Sequence, residues 1–325
     1  MKQIHIVIPD LFLPQSLAKE VCAGLALPVL EKALARGKAQ TLTVHTLEDW
    51  LCQTYAVADS AIAPVTLLAD GLQPEGYYWL RADPVHLRLE RDQTILQTNV
   101  APDQQHATQL CAQLNRHFSG DGLAFFAPHP RRWYLRLAED PQLQTHSVYQ
   151  VEGRDARRYM PQGEQALRWH GLLNEMQMLL YGQSVQQVTA DSVPVNSLWL
   201  WGGGNAVELS CPFAEVHGDS SLAAAFAQAA IRQEAAHSQA ETVLYVWEAL
   251  SAAVRRGDYY AWREALLRFE QELLAPLVQQ LAAGEVGQLW LTVLQEEGSR
   301  SYELTRSRLW QAWKRPRALA SFAVV

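Results

Sequence analysis

"PVNSLWLWGGG", residues 194–204, decides how this chain is read. An apolar run carries two tryptophans around a leucine and ends in three glycines. A strand feeding a glycine loop can present backbone N–H groups to a phosphate. A buried strand with a sharp exit would read the same way. No Lys-Ser/Thr follows the glycines, so this is not a P-loop, and no G-x-G-x-x-G is present. Taken alone, the stretch reads as a buried strand whose glycines allow a tight exit.

Outward from that stretch, helices and strands alternate. "IHIVIPDLF" (4–12) reads as a buried strand ending at Pro9-Asp10, the end at which open α/β sheets place ligand groups. Asp10 reads equally as a turn or capping aspartate. "SLAKEVCAGLALPVLEKALARG" (16–37) has helical spacing, interrupted near Pro28 and closed by Gly37. "TLEDWLCQTYAV" (46–57) is an amphipathic helix capped by Thr46. "VHLRLERD" (85–92) and "TILQT" (94–98) alternate as an antiparallel pair with one wet face. A helix capped by Asp103 follows, then the short strands "LAFFAPH" (123–129) and "RWYLRL" (132–137). This block reads as a small α+β subdomain. "GEQALRWHGLLNEMQMLLYG" (163–182) is a long helix that leads to "SLWLW", read as a central strand. The last third runs strand (242–247), helix (262–284), strand (288–295), which predicts a mainly parallel sheet. The basic tail "RSRLWQAWKRPRAL" (306–319) is expected to lay its tryptophans on the body.

Composition narrows the function. The 325 residues are 49% hydrophobic and 19% charged, with net charge -7. A substantial core is expected, and a broad basic footprint for nucleic acid is not. The four cysteines are scattered without a C-x-x-C pair, which argues against structural zinc and for free thiols in a reducing compartment. No run approaches a membrane span or a signal peptide, so a cytoplasmic protein is expected, with no membrane and no nucleic-acid partner.

Single residues carry less. Ser60 sits in a loop without a G-x-S-x-G elbow, and a nucleophilic serine needs a base or a metal. A turn serine is the alternative. Arg131, Arg132 and Arg136 in "HPRRWYLRL" suit a phosphate or carboxylate, or simply flank an edge strand. No His occurs after position 237.

Three stretches together resemble one family, the archaeal-type cofactor-independent phosphoglycerate mutases of the alkaline phosphatase superfamily. They are "SAIAPVTLLADGLQPEGYYWLRADPVHLRLERD" (60–92), "LNRHFSGDGLAFFAPHPRRWYLRL" (114–137) and "LLNEMQMLLYGQSVQQVTADSVPVNSLWLWGGG" (172–204). The resemblance covers roughly 60–205 and identifies the chain as a divergent bacterial relative. It implies an alkaline-phosphatase-like α/β core, residues 1–84 and 185–325, with an inserted α+β subdomain at 85–184. It implies that Asp10 stands for the first metal-binding Asp, Ser60 for the transiently phosphorylated nucleophile, and Arg81, Arg131 and Arg132 for substrate-binding arginines. In that family two divalent metals activate the serine. Here Leu11 follows Asp10 where the family has Gly, and Asp59 and Ala61 flank Ser60 where it has Gly and Asp. Trp247, Glu248, Gln295 and Glu296 stand where Asp and His ligands are expected, and "KRPRAL" where a last His is expected. The expectation is therefore a catalytically degenerate relative with no cofactor, which binds an anionic or phosphorylated small molecule or regulates through a protein partner. The alternatives are an active mutase or phosphatase using Mn, Zn or Mg on the substitute carboxylates Glu248, Asp258, Glu296 and Glu297, and an interaction scaffold presenting aromatic patches.

Overall fold

A computed structural model describes residues 2–184, 193–235 and 241–322. Its strands are β1 (Lys2–Pro9), β2 (Lys38–Thr41), β3 (Tyr78–Glu90), β4 (Gln93–Gln97), β5 (Ala124–His129), β6 (Arg132–Leu137), β7 (Ser197–Gly204), β8 (Glu215–Gly218), β9 (Thr242–Val246), β10 (Val286–Leu294) and β11 (Arg300–Leu304). The chain forms two compact units, residues 1–56 with 209–325 and residues 57–208.

The first unit is mixed α/β around a sheet of order β2-β11-β10-β1-β9-β8. The inner strands β10, β1, β9 and β8 are parallel, and the β11 and β2 edge is antiparallel. β1 is an inner strand of this sheet and is buried along most of its length. Ile4, Ile6 and Ile8 pack with Trp262, Leu266 and Phe269. His5 stacks on Trp290 and meets the edge of Phe213, and Phe213 also stacks on Trp50. Local signals set the helices. Thr46 accepts from the Asp49 N–H at 3.1 Å, and Pro28 occupies the first turn of its own helix, where a missing N–H costs nothing. The helix expected at 262–284 instead runs from Tyr259 to Ala283 and passes through a π segment, Phe269–Leu274.

The second unit is an antiparallel sheet, β4-β3-β6-β5, with β7 paired on β3. The helices Gln104–His117 and Ala166–Ser184 bury Leu110, Leu114, Trp169 and Met176 against Leu198, Leu200 and Trp133. The Ile62–Ala69 helix packs Ala63 and Leu67 with Trp79 and Tyr134. Asp103 caps its helix by accepting from the His106 N–H at 2.7 Å.

Two features differ from the sequence reading. β7 is not a strand of the parallel sheet; it pairs antiparallel to β3 from Trp79↔Gly204 to Val85↔Ser197. The compact units accordingly divide at 56/57 and 208/209, because β3 holds both its own hairpin and β7, whereas the sequence placed the divisions at 84/85 and 184/185. In the tail, Trp310 and Trp313 are 73% and 76% exposed rather than laid on the body. Leu309 and Leu319 are the buried anchors there. Among the described residues no helix is long and apolar enough to cross a membrane.

Candidate functional site

A side chain at any of the three β7 glycines would collide with its neighbours. A Cβ at Gly202 would lie 2.9 Å from the Ile62 Cβ, and the Gly202 backbone has φ +63. A Cβ at Gly203 would strike the Tyr78 hydroxyl, and one at Gly204 would strike the Ala61 Cβ. Gly202 and Gly204 let the Ile62–Ala69 helix and the turn before it press onto β7, and Gly203 leaves room for Tyr78 and Leu80 of β3. They are packing glycines within a strand, not a phosphate loop.

In the first unit, the carboxyl ends of the four parallel strands carry Asp219, Trp247-Glu248, Asp10 and Gln295-Glu296, at the edge where such sheets bind ligands. Asp10 has φ 57 and donates its N–H to the Leu294 carbonyl at 3.0 Å, while its own carbonyl accepts from the Trp262 indole at 3.1 Å. Glu248 is partly buried, and its N–H donates to Asp219 Oδ1 at 2.6 Å. Burial pushes the Glu248 carboxyl up to about 7; Ser220 and Arg255 oppose the shift, and Glu48 and Asp219 add to it. Gln295 donates to the Phe12 carbonyl at 2.6 Å, and its Oε1 is buried without a partner. His45 approaches this edge but sets its Nδ1 on the Gln295 carbonyl at 3.2 Å. Asp258 caps the Tyr259–Arg268 helix by accepting from the Ala261 N–H at 2.9 Å, and Glu296 and Glu297 are exposed. Among the described residues no three His, Cys, Asp or Glu are grouped to hold a metal ion. This donor set does not fit the two-metal centre that the resemblance implies.

In the second unit, two arginines are locked into carboxylates. Arg81 is 3% exposed; its Nη2 and Nε lie 2.6 and 3.1 Å from Asp83 Oδ1. Its Nη1 reaches Thr66 Oγ1 at 3.5 Å, and its guanidinium lies 5.2 Å from the Trp201 ring centre and 5.8 Å from that of Tyr134. The Trp201 indole donates to Asp83 Oδ2 at 2.7 Å. Burial lowers the Arg81 pKa, but Asp83 outweighs it and holds the group above its ordinary value. Arg132 grips Asp70 with Nε at 3.0 Å and Nη2 at 2.5 Å, and the Tyr134 hydroxyl donates to Asp70 Oδ2 at 2.6 Å. Burial raises the Asp70 carboxyl, yet these hydrogen bonds hold it below the usual range. The Arg81–Asp83 pair is buried and the Arg132–Asp70 pair partly so; each is charge-compensated, the condition under which such groups are tolerated.

Arg131 is exposed in the β5–β6 hairpin and donates its N–H to His129 Nδ1 at 3.1 Å. Burial lowers the His129 pKa, and Arg132, Arg131 and Arg81 lower it further against Asp70. Ser60 is exposed in the Ala58–Ser60 turn, where Asp59 and Ser60 both have left-handed backbone, φ 53 and 51. Asp10 belongs to the first unit; Ser60, Arg81, Arg131 and Arg132 belong to the second.

The sequence reading missed Asp70, Asp83 and Tyr134. Asp83 was within reach: residues two apart on a strand share a face, so an Arg-x-Asp on β3 is a ready pair. Asp70 and Tyr134 meet Arg132 only through the tertiary fold.

No family model matches the chain, and no curated protein matches it. Two solved structures resemble it over most of its length. One is the cofactor-independent phosphoglycerate mutase from Thermoplasma acidophilum DSM 1728, at 13% identity and TM-score 0.45, covering 93% of this chain and 89% of that one. The other is the PH0037 protein from Pyrococcus horikoshii, at 11% identity and TM-score 0.54, covering 94% of this chain and 87% of that one. The likeness to the second is one of fold.

Proposed function

We propose that this chain is a phosphoglycerate-mutase-like protein that binds an anionic or phosphorylated small molecule, in a regulatory role, without running metal-assisted phosphoryl transfer. The observation that carries this reading is the donor set at the carboxyl ends of β1, β9 and β10: Asp10, Glu248, Gln295 and Glu296, with His45 turned to a carbonyl. Gln295 turns its amide to the Phe12 carbonyl at 2.6 Å, and among the described residues no three His, Cys, Asp or Glu are grouped to hold a metal ion. Asp258, a candidate substitute ligand, is spent on capping a helix. For the anion, the exposed Arg131 of the β5–β6 hairpin supplies the attraction, whereas Arg132 is paired with Asp70 and Arg81 with Asp83.

The test is a mutase and phosphatase assay on phosphoglycerates with Mn²⁺, Zn²⁺ or Mg²⁺, paired with calorimetric titration of phosphoglycerate and inorganic phosphate. The expected result is no turnover, and binding that weakens in Arg131→Ala. Turnover that Ser60→Ala abolishes would overturn this reading in favour of the active enzyme. A second reading, an interaction scaffold, is favoured by the exposed Trp310 and Trp313 among Arg306, Arg308, Lys314, Arg315 and Arg317, a composition typical of interface hot spots.

A further inference from the structure

A cavity of about 670 Å³ opens within the second unit, between the distal half of β3, the start of β7 and the Ala166–Ser184 helix. It begins five residues along β3 from Arg81, at His86, so the buried arginine pair is not part of its wall. Its apolar surface comes from Met160, Leu173, Leu198 and Trp199.

Uncharged polar side chains face this space, Ser197, Asn174 and Gln177 among them. Ser197 is 3% exposed, lines the cavity, and among the described residues has no side-chain hydrogen-bond partner. Asn174 and Gln177 stand three residues apart on the helix, hence on one face, and among the described residues neither amide has a partner. Asn196 differs: it accepts from the Leu87 N–H at 2.8 Å and donates to the Leu87 carbonyl at 3.1 Å, fixing the β3 wall. His86 sets Nδ1 on the Pro194 carbonyl at 2.9 Å. A carbonyl can only accept, so Nδ1 carries the proton and Nε2 of the neutral ring remains an acceptor.

The charged groups on the wall are already compensated. Arg157 is bidentate on Asp155, at 3.0 Å for each bond, and Arg88 is paired with Glu90. An ionic ligand would lose its hydration here without a free counter-charge. Asn and Gln amides pair in bidentate fashion with a ring edge that offers a donor beside an acceptor, as nucleobases do. Flat heterocycles also suit a wall built from Trp and Met.

We infer that this cavity is a binding site for a neutral, flat heterocycle with an amide-like edge, of the nucleobase or nucleoside class, held by Asn174, Gln177 and Ser197. This site is separate from the anion-attracting hairpin, and either can hold without the other.

The test is titration of the full chain with adenosine, guanosine, uridine and inosine, each beside its monophosphate, followed by calorimetry. At least one nucleoside is expected to bind. Asn174→Leu or Gln177→Leu is expected to weaken it about tenfold, the worth of one bidentate pair. Both positions are solvent-accessible, so an unchanged melting temperature shows that the variants are folded. Absence of binding up to about 1 mM, where the binding free energy is only about 4 kcal/mol, overturns the assignment. So does binding that both variants leave untouched. A monophosphate that binds more than about tenfold tighter than its nucleoside, a gain of about 1.4 kcal/mol, also overturns it, because the site would then be an anion site.

Discussion

Replacing Glu248 by Gln should stabilise the protein at pH 8 and change little at pH 4.5. The carboxyl titrates from its ordinary 4.5 up to about 7 in the fold, chiefly because burial disfavours the charge, with Glu48 and Asp219 adding repulsion. The folded state therefore holds the proton more tightly than the unfolded chain. The stability this confers is fully present below 4.5 and is lost as pH rises toward 7; above 7 the folded protein carries an unfavourable buried charge. At about 1.36 kcal/mol per tenfold, the gap between 4.5 and about 7 has a ceiling of about 3 kcal/mol. Glu248 is only partly buried, so solvent screening brings the expected gain nearer 2 kcal/mol. Gln cannot ionise and can still accept from Ser220, so the variant's stability should be flat where the parent's falls. Urea unfolding of both proteins at half-unit steps from pH 4.5 to 8 measures the difference. A stability difference that does not change with pH would refute the reasoning. A Gln variant less stable than the parent at pH 8 would show instead that the carboxylate is stabilised by Arg255 and Ser220.

Two other perturbations test the second unit. Asp83→Ala strands the Arg81 guanidinium in the core and should cost about 3–5 kcal/mol, whereas Arg131→Ala on the exposed hairpin should stay within about 0.5 kcal/mol; equal losses in chemical denaturation would contradict the burial argument. Gly204→Ala forces a methyl into the Ala61 side chain and should cost about 1–3 kcal/mol by overpacking. A thermal melt identical to the parent's would mean that the helix stands off β7.

Much of the fold was legible because its signals are local. Thr46 and Asp103 announce their helices by offering an oxygen to an N–H three residues on, and both do so. The largely apolar run 4–8 announces a buried strand, and Ile4, Ile6 and Ile8 pack into the core with Trp262, Leu266 and Phe269. Asp10 after β1 was placed by the same logic at the carboxyl edge of the sheet. The role of Arg81 was not legible. Nothing local distinguishes an arginine that meets a ligand from one buried on Asp83 between two aromatic rings.

By itself, the sequence determined the periodicities, the caps, the mixed α/β class and the lack of histidine after position 237, because each depends on neighbours within about one helical turn or one strand pleat. Only the tertiary structure decided which sheet "SLWLWGGG" joins. An apolar strand carries no record of its partner's direction: the same residues fit a parallel core or an antiparallel neighbour. Pairing with β3 over Trp79–Val85, and the closeness of Ile62 to Gly202 and of Ala61 to Gly204, made that choice. A side chain at any of the three glycines would collide with Ile62, Ala61 or the β3 side chains Tyr78 and Leu80.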